Sequence, residues 1–240
     1  MHIILSSSKT QNFSEINIKQ TTSLPIHQHE ANDRISELQT LSLKKCKEYF
    51  RVSDALAKKV HTQLKKFNKE TTVSKAALFA YSGTVFIPFQ HQSFSKEQLG
   101  YAQQHLFILS GLYGALRPLD IIKPYRLEMK QANDTIKSLV VSDLQRCSKP
   151  IINLASSESL SAVQKKQLDS IVDISFLQKK NGVSKTIAVY AKKARGLMAS
   201  WIISQMCRDI SQITTFSEDG YVYKKDMSST SLLVFEKELS

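Results

Sequence analysis

The chain has 240 residues, with 33 Lys and Arg against 21 Asp and Glu, for a formal charge of +12. Its hydrophobic share of 42% is enough for a buried core. No stretch approaches the roughly 18 unbroken apolar residues of a membrane span. The cation excess and a pI near 9.5 point to an anionic partner, of which nucleic acid is the commonest.

In chain order, HIIL after the initial Met predicts a short buried strand. The opening MHIILSSSKT has no basic leader, and its apolar run is too short for a signal peptide. Asn12 to His29 is polar and irregular. LSLKKCKEYF and SDALAKKVHTQLKKF predict two amphipathic helices. Ser53 is placed as N-cap of the second, and Leu56, Val60, Leu64 and Phe67 form its apolar stripe. KAALFAYSG predicts a buried strand. Ser95 caps a helix through KEQLGYAQQH, and LFILSG predicts a strand stopped by Gly111. PIINLAS repeats that form before a short helix around SESLSAVQKK. IVDISFLQKKNGVSKTIAVYA predicts a hairpin turning at Asn181-Gly182, a pair suited to positive φ at both turn positions. A helix from about Lys193 to Cys207 follows, and DGYVYKKDMSSTSLLVFEKE closes the chain as two strands. Interspersed strands and helices predict a mixed α/β class. The expected architecture is one domain over residues 1–240, with helices around a sheet that the hairpin keeps from being purely parallel.

Cys46, Cys147 and Cys207 are far apart and lack a CxxC partner. They suit a reduced cytoplasm and argue against a disulfide framework. HExxH, GxSxG and Walker A patterns are absent, and neither a cofactor nor a metal site is expected, His27 and His29 being a weak pair.

Three basic blocks stand out. In LSGLYGALRPLDIIKPYRLEM, Pro118 and Pro124 stiffen the backbone that carries Arg117 and Lys123, with Arg126 close behind. Such stiffness lowers the entropy cost of fixing a basic side chain on a phosphate. The competing reading is a structural loop whose arginines pair with Asp120 and Glu128. In AVYAKKARGLMASWII, Lys192, Lys193 and Arg195 crowd the predicted strand-to-helix joint, where free helix amides would converge with them on a phosphate. Gly196 leaves room there for a ligand or the neighbouring strand, and Trp201 is assigned to the core. The third block, Leu41 to Glu70, carries nine cations and three acids, mostly a solvated helix face.

The segments QQHLFILSGLYGALRPLDIIKPYRLEM, INLASSES, VYAKKARGLMASWII and DGYVYKKDMSS…LLVF resemble the YaaA peroxide-stress protein family. The resemblance runs from LSSSKT to the final strand. It implies one α/β domain with a helix-hairpin-helix element and a basic cleft, a cytosolic location, duplex DNA as partner, and a role in limiting hydrogen peroxide damage. The matching cleft cations would be Lys9, Arg117, Arg126, Lys192, Lys193 and Arg195. Some positions depart from the family pattern. Thr84 replaces an acid, Phe86 a hydroxyl-bearing residue, and Ser157 and Ser159 an Asn and a Tyr. A longer segment after Met129 is also absent.

Two functions follow as expectations. One is a DNA-binding protein of the peroxide response acting as a monomer, its phosphates held by Lys9, Arg117, Lys123, Arg126, Lys192, Lys193 and Arg195. The other is an enzyme on a small phosphorylated or nucleotide substrate in the same cationic site, with Tyr125, Glu128 and Asp120 as candidate acid–base groups. A closed cavity beside Arg126 and Lys193 favours the second, and an open basic groove favours the first.

Overall fold

The computed structural model describes residues 1–14, 21–90, 94–147, 150–162, 168 and 170–239. Its strands are β1 (His2–Ser6), β2 (Lys75–Ala76), β3 (Leu106–Ser110), β4 (Gly114–Leu116), β5 (Ile121–Ile122), β6 (Ile151–Asn153), β7 (Ile171–Lys180), β8 (Val183–Lys185), β9 (Val222–Tyr223) and β10 (Leu232–Glu238). Its helices begin with α1 (Gln28–Gln39), α2 (Leu43–Phe50), α3 (Asp54–Lys66), α4 (Ala77–Ala80) and α5 (Ile87–Gln90). They continue with α6 (Lys96–His105), α7 (Asp134–Gln145), α8 (Ser157–Ala162), α9 (Ala188–Gln205) and α10 (Ile210–Ile213). This is the mixed α/β class expected.

Eight strands form one sheet in the order β4-β3-β1-β6-β7-β10-β9, with β8 folded back on β7. The inner strands β3, β1, β6, β7 and β10 run parallel. The outer ones, β4, β8 and β9, are antiparallel to their neighbours. The strand period of two sends alternate residues to opposite faces. Ile3 and Leu5 enter the larger core with Ile35, Val60, Leu64, Ala102, Met198 and Ile202, from α1, α3, α6 and α9. Ile4 enters a smaller core with Ile136, Val140 and Leu144 of α7 and Leu160 of α8.

The topology makes a crevice. From β1 the chain crosses to β3 on one side, returns past β1 to β6 on the other, and then builds outward through β7. The loops leaving β1 and β6 therefore diverge from adjacent carboxyl ends. In open α/β sheets this is where ligands bind.

Local signals account for many boundaries. Ser53 caps α3 by accepting from Leu56 N–H, and Ser95 caps α6 in a reciprocal box with Gln98. The β7–β8 turn places Asn181 at φ 52° and Gly182 at φ 78°. Val60, Leu64 and Phe67 are buried, with Leu56 packed against them. Trp201 packs edge-on against Phe216, its ring centre 5.6 Å away, as a core-flanking residue.

Several expectations need correction. KAALFAYSG is strand only at Lys75–Ala76 and then turns into α4. The second hairpin strand stops at Lys185, and α9 starts at Ala188 rather than near Lys193. The reason is tertiary: buried Gln178 on β7 accepts from Ile187 N–H at 2.6 Å, which ends the ladder and launches the helix over β-branched residues. Helices α1 and α7 were not expected. Around Gly111 and Gly114, by contrast, the chain keeps to the expected strand and turn, forming the β3–β4 hairpin. The tight helical pair is α2–α3, joined through Arg51 at φ 49°. The predicted helix around SESLSAVQKK is seen as α8, and its part at 163–167 lies outside the described residues.

Candidate functional site: a cationic cavity at the strand ends

A cavity of about 340 Å³ opens at the carboxyl ends of β1 and β6, at the crevice described above. One wall is the β1 exit, Ser6 to Lys9, and another is the β6 exit with Ser156, Glu158 and Ser159. The segment Tyr125–Met129, the loop Gly83–Phe86, and Lys192 and Arg195 of α9 complete it.

Glycines let these walls close up. A Cβ on Gly196 would lie 2.0 Å from the Val85 carbonyl oxygen, so only glycine lets α9 touch the 83–86 loop. A Cβ on Gly111 would meet the Glu128 carbonyl oxygen at 2.3 Å, so the β3–β4 turn carries the Tyr125–Met129 segment directly. The space that the sequence reserves at Gly196 is thus filled by chain, not by ligand.

The floor is a hydroxyl network. Tyr125 Oη lies 2.5 Å from Tyr81 Oη and 2.6 Å from Ser110 Oγ. Ser110 Oγ in turn accepts from the N–H groups of Leu112 and Tyr113. Burial pushes the Tyr81 and Tyr125 phenols above their ordinary values, so both stay protonated at neutral pH. Beside the floor, the Ser6, Ser156 and Ser159 hydroxyls lie within 3.2 Å of one another, and Ser6 Oγ accepts from Ser156 N–H. Gln11 accepts from Tyr125 N–H through Oε1, while its Nε2 is buried without a partner.

The cations divide into two sets. Lys9 pairs with Glu128 at 2.9 Å, and Lys130 with Glu158 at 2.8 Å and Glu128 at 3.6 Å. The hydrogen bond from Lys130 holds the Glu158 carboxyl below its usual range. Arg126, Lys192 and Arg195 make no ion pair among the described residues. Burial lowers the Arg195 guanidinium, and it stays charged because its ordinary value is so high.

The structure therefore brings Lys9, Arg126, Lys192 and Arg195 to one cavity and places the other three candidates elsewhere. Arg117 is clamped to fully buried Asp120, with contacts from Nε and Nη2 as short as 2.9 Å, and also donates to Leu24 O. It is a structural pair, the competing reading above. Lys123 donates to Phe67 O at 3.0 Å and covers that ring. Lys193 binds Asp219, which it shares with Lys237, and faces a neighbouring hollow beside Trp201. Lys192 and Lys193 lie in the second turn of α9, so the expected convergence with free helix amides does not occur. Of the acid–base candidates, Tyr125 and Glu128 line the cavity, and Asp120 does not.

Sequence reasoning missed the serine cluster and Gln11, whose separation along the chain hides them. It did single out Thr84, Phe86 and Ser159 as departures from the family pattern, and all three line this cavity. His27 is buried against Asp143 at 2.6 Å, whereas His29 is an exposed partner of Asp33. Among the described residues no three His, Cys, Asp or Glu side chains are grouped to hold a metal. No helix among them is long and apolar enough to cross a membrane.

The fold and site define a mixed α/β protein with a cationic cavity at the switch point of its sheet. A family model described as "Peroxide stress protein YaaA" matches residues 1–227, and the chain belongs to this family. It is 35% identical to a UPF0246 protein of Francisella philomiragia subsp. philomiragia, covering 99% of this chain and 100% of that protein. The identity and coverage are the same for a UPF0246 protein of Francisella tularensis subsp. novicida. Both alignments run over 254 positions, more than the 240 residues present here, so these relatives carry additional residues.

Proposed function

We propose that the protein serves the peroxide-stress response in the cytoplasm by binding duplex DNA, as a monomer, with backbone phosphates held at the mouth of the cationic cavity. The stress role rests on family membership. The observation that carries the DNA reading is the arrival of Lys9, Arg126, Lys192 and Arg195 from three separate segments at one opening. Among the described residues, only Lys9 of the four has a carboxylate within ion-pair distance. The exposed lysines of α3 (Lys58, Lys59 and Lys66) border a second hollow and add long-range attraction. The α2–α3 pair is where we place the family's helix-hairpin-helix element.

A thiol route to peroxide protection is poorly supported. Burial raises Cys46 and Cys207, and burial with Asp143 nearby pushes Cys147 up to about 11. Thiolates, not thiols, react with peroxide.

The test is a mobility-shift titration over several salt concentrations. Binding should fall with salt by about 0.9 log units in K per log unit of salt for each phosphate neutralised. Lys9→Glu with Lys192→Glu should weaken it at least ~10-fold at low salt while the fold persists. Both side chains are exposed, and partly buried Arg195 is a poorer probe because a carboxylate there would also strain the fold. Absence of duplex binding at low salt would overturn the reading. The second reading, an enzyme on a small phosphorylated or nucleotide substrate, is favoured by the cavity's volume, which falls in the range of small-molecule sites.

A further inference from the structure

We infer that the cavity is a receptor for a phosphomonoester group at the end of a DNA strand; this rests on the duplex-binding reading and adds what the duplex presents to the site. A continuous duplex is too wide for a cavity of about 340 Å³, and its phosphodiesters can reach only the rim. A terminal phosphate on its last nucleotide is small enough to enter.

The charge inside matches that group. The lining holds Lys9, Arg126, Lys192 and Arg195 against Glu128 and Glu158. Lys9 is taken by Glu128, and Glu158 is taken by Lys130 from outside the lining. Arg126, Lys192 and Arg195 have no ion-pair partner among the described residues, and Lys192 is near enough to Glu158 to lower its carboxyl. A phosphomonoester carries about −1.5 to −2 at pH 7, where a backbone diester carries a single charge. Partly buried Arg195 is the costly member. An arginine taken out of water with no partner is maintained where it has an anion to meet, and planar guanidinium groups suit phosphate oxygens.

The neutral groups agree. Gln11 Nε2 is a buried donor with no acceptor, and it belongs to a residue of the lining. The hydroxyls of Ser6, Ser156 and Ser159 give donors at the strand ends that rotate to suit a tetrahedral oxyanion. Together they form a wall of donors at the strand-end crevice where α/β sheets hold their ligands.

The chemistry is shared by a strand terminus and a free mononucleotide, and the experiment separates them. DNA hairpins with one open end carry a 5′-phosphate, a 3′-phosphate or only hydroxyls there, and a closed dumbbell has no end. Binding of each is measured by anisotropy at one salt concentration, with a label in the hairpin loop. A deoxynucleoside 5′-monophosphate is titrated calorimetrically. The expected result is that one phosphate-ended hairpin binds about 10-fold or more tightly than the hydroxyl-ended one, which equals the dumbbell. Gln11→Ala, which removes the buried donor and none of the cations, should cut that preference several-fold and leave dumbbell binding unchanged, whereas Arg126→Ala should weaken both. Equal binding of all hairpins and the dumbbell overturns the inference and leaves duplex binding standing. Mononucleotide binding without duplex binding overturns both the duplex reading and the strand-end source. Failure of every probe overturns the cavity's role as well.

Discussion

Arg117 and Arg126 lie nine positions apart in one motif, yet the fold gives them opposite roles. Asp120 is fully buried and accepts from Arg117 N–H at 2.8 Å, from the Arg117 side chain and from Ser23 Oγ at 2.6 Å. Removing one partner of a buried ion pair leaves an uncompensated charge. Arg117→Ala should therefore lower unfolding free energy in urea by about 3 kcal/mol, at the low end for such pairs, and leave duplex affinity unchanged. A loss of affinity without a loss of stability would return Arg117 to the interface. Gly196 makes a second residue-scale prediction. With 2.0 Å between its would-be Cβ and a backbone oxygen, Gly196→Ala must push α9 off the 83–86 loop. Overpacking of this kind costs about 1–3 kcal/mol, so the variant should melt earlier and lose affinity through displacement of Lys192 and Arg195. A variant as stable as the parent would show that this contact yields easily.

Among the elements, those with explicit local chemistry were legible and those set by distant partners were not. The Ser95 cap is written in the sequence, and Ser95→Ala should cost about 1 kcal/mol in urea unfolding without altering affinity. The strands LFILS and IIN, the Asn181-Gly182 turn and α3 were equally readable from periodicity and turn chemistry. By contrast, Ala188, Val189 and Tyr190 have a strand's composition and become helix because Gln178 intercepts Ile187. That contact spans nine residues and two elements, and no local pattern shows it. The error displaced the predicted anion site, since it put helix amides beside Lys192 and Lys193. Helix α1 was obscured by a thin apolar stripe, Ala31, Ile35 and Leu38. The four cavity cations were all named from sequence. What separates them from Arg117, Lys123 and Lys193 is that the fold turns those three away from the cavity to Asp120, Phe67 O and Asp219, which is tertiary information.

At the scale of the whole molecule, the reversal of strand order at β1 and β6 creates the crevice and the cations furnish it. The opposite, amino end of β1 carries a pH response. His2 on β1 packs against His105 and Phe107, and burial, the chain's amino terminus and His105 together lower it to about 4. The unfolded chain takes up this proton near pH 6.5, before the folded one does. Between those values the unfolded state binds more protons, so stability falls as pH drops from about 6.5 to about 4 and levels off below. His2→Phe should flatten this part of the profile in thermal melts at a series of pH values. An unchanged slope would assign the acid sensitivity to other groups.

The central claim is that the switch-point cavity is the anion-binding surface. The most direct measurement is duplex affinity against salt for the parent chain and for Lys9→Glu/Lys192→Glu, side by side. The parent should lose affinity steeply, with a log–log slope of about −2 to −4, as two to four neutralised phosphates require. The double variant should bind at least 10-fold more weakly at low salt, on the scale of two lost charge-assisted contacts, with a slope about two units shallower. Identical slopes and affinities for the two proteins would contradict the account and place any DNA contact elsewhere on the molecule.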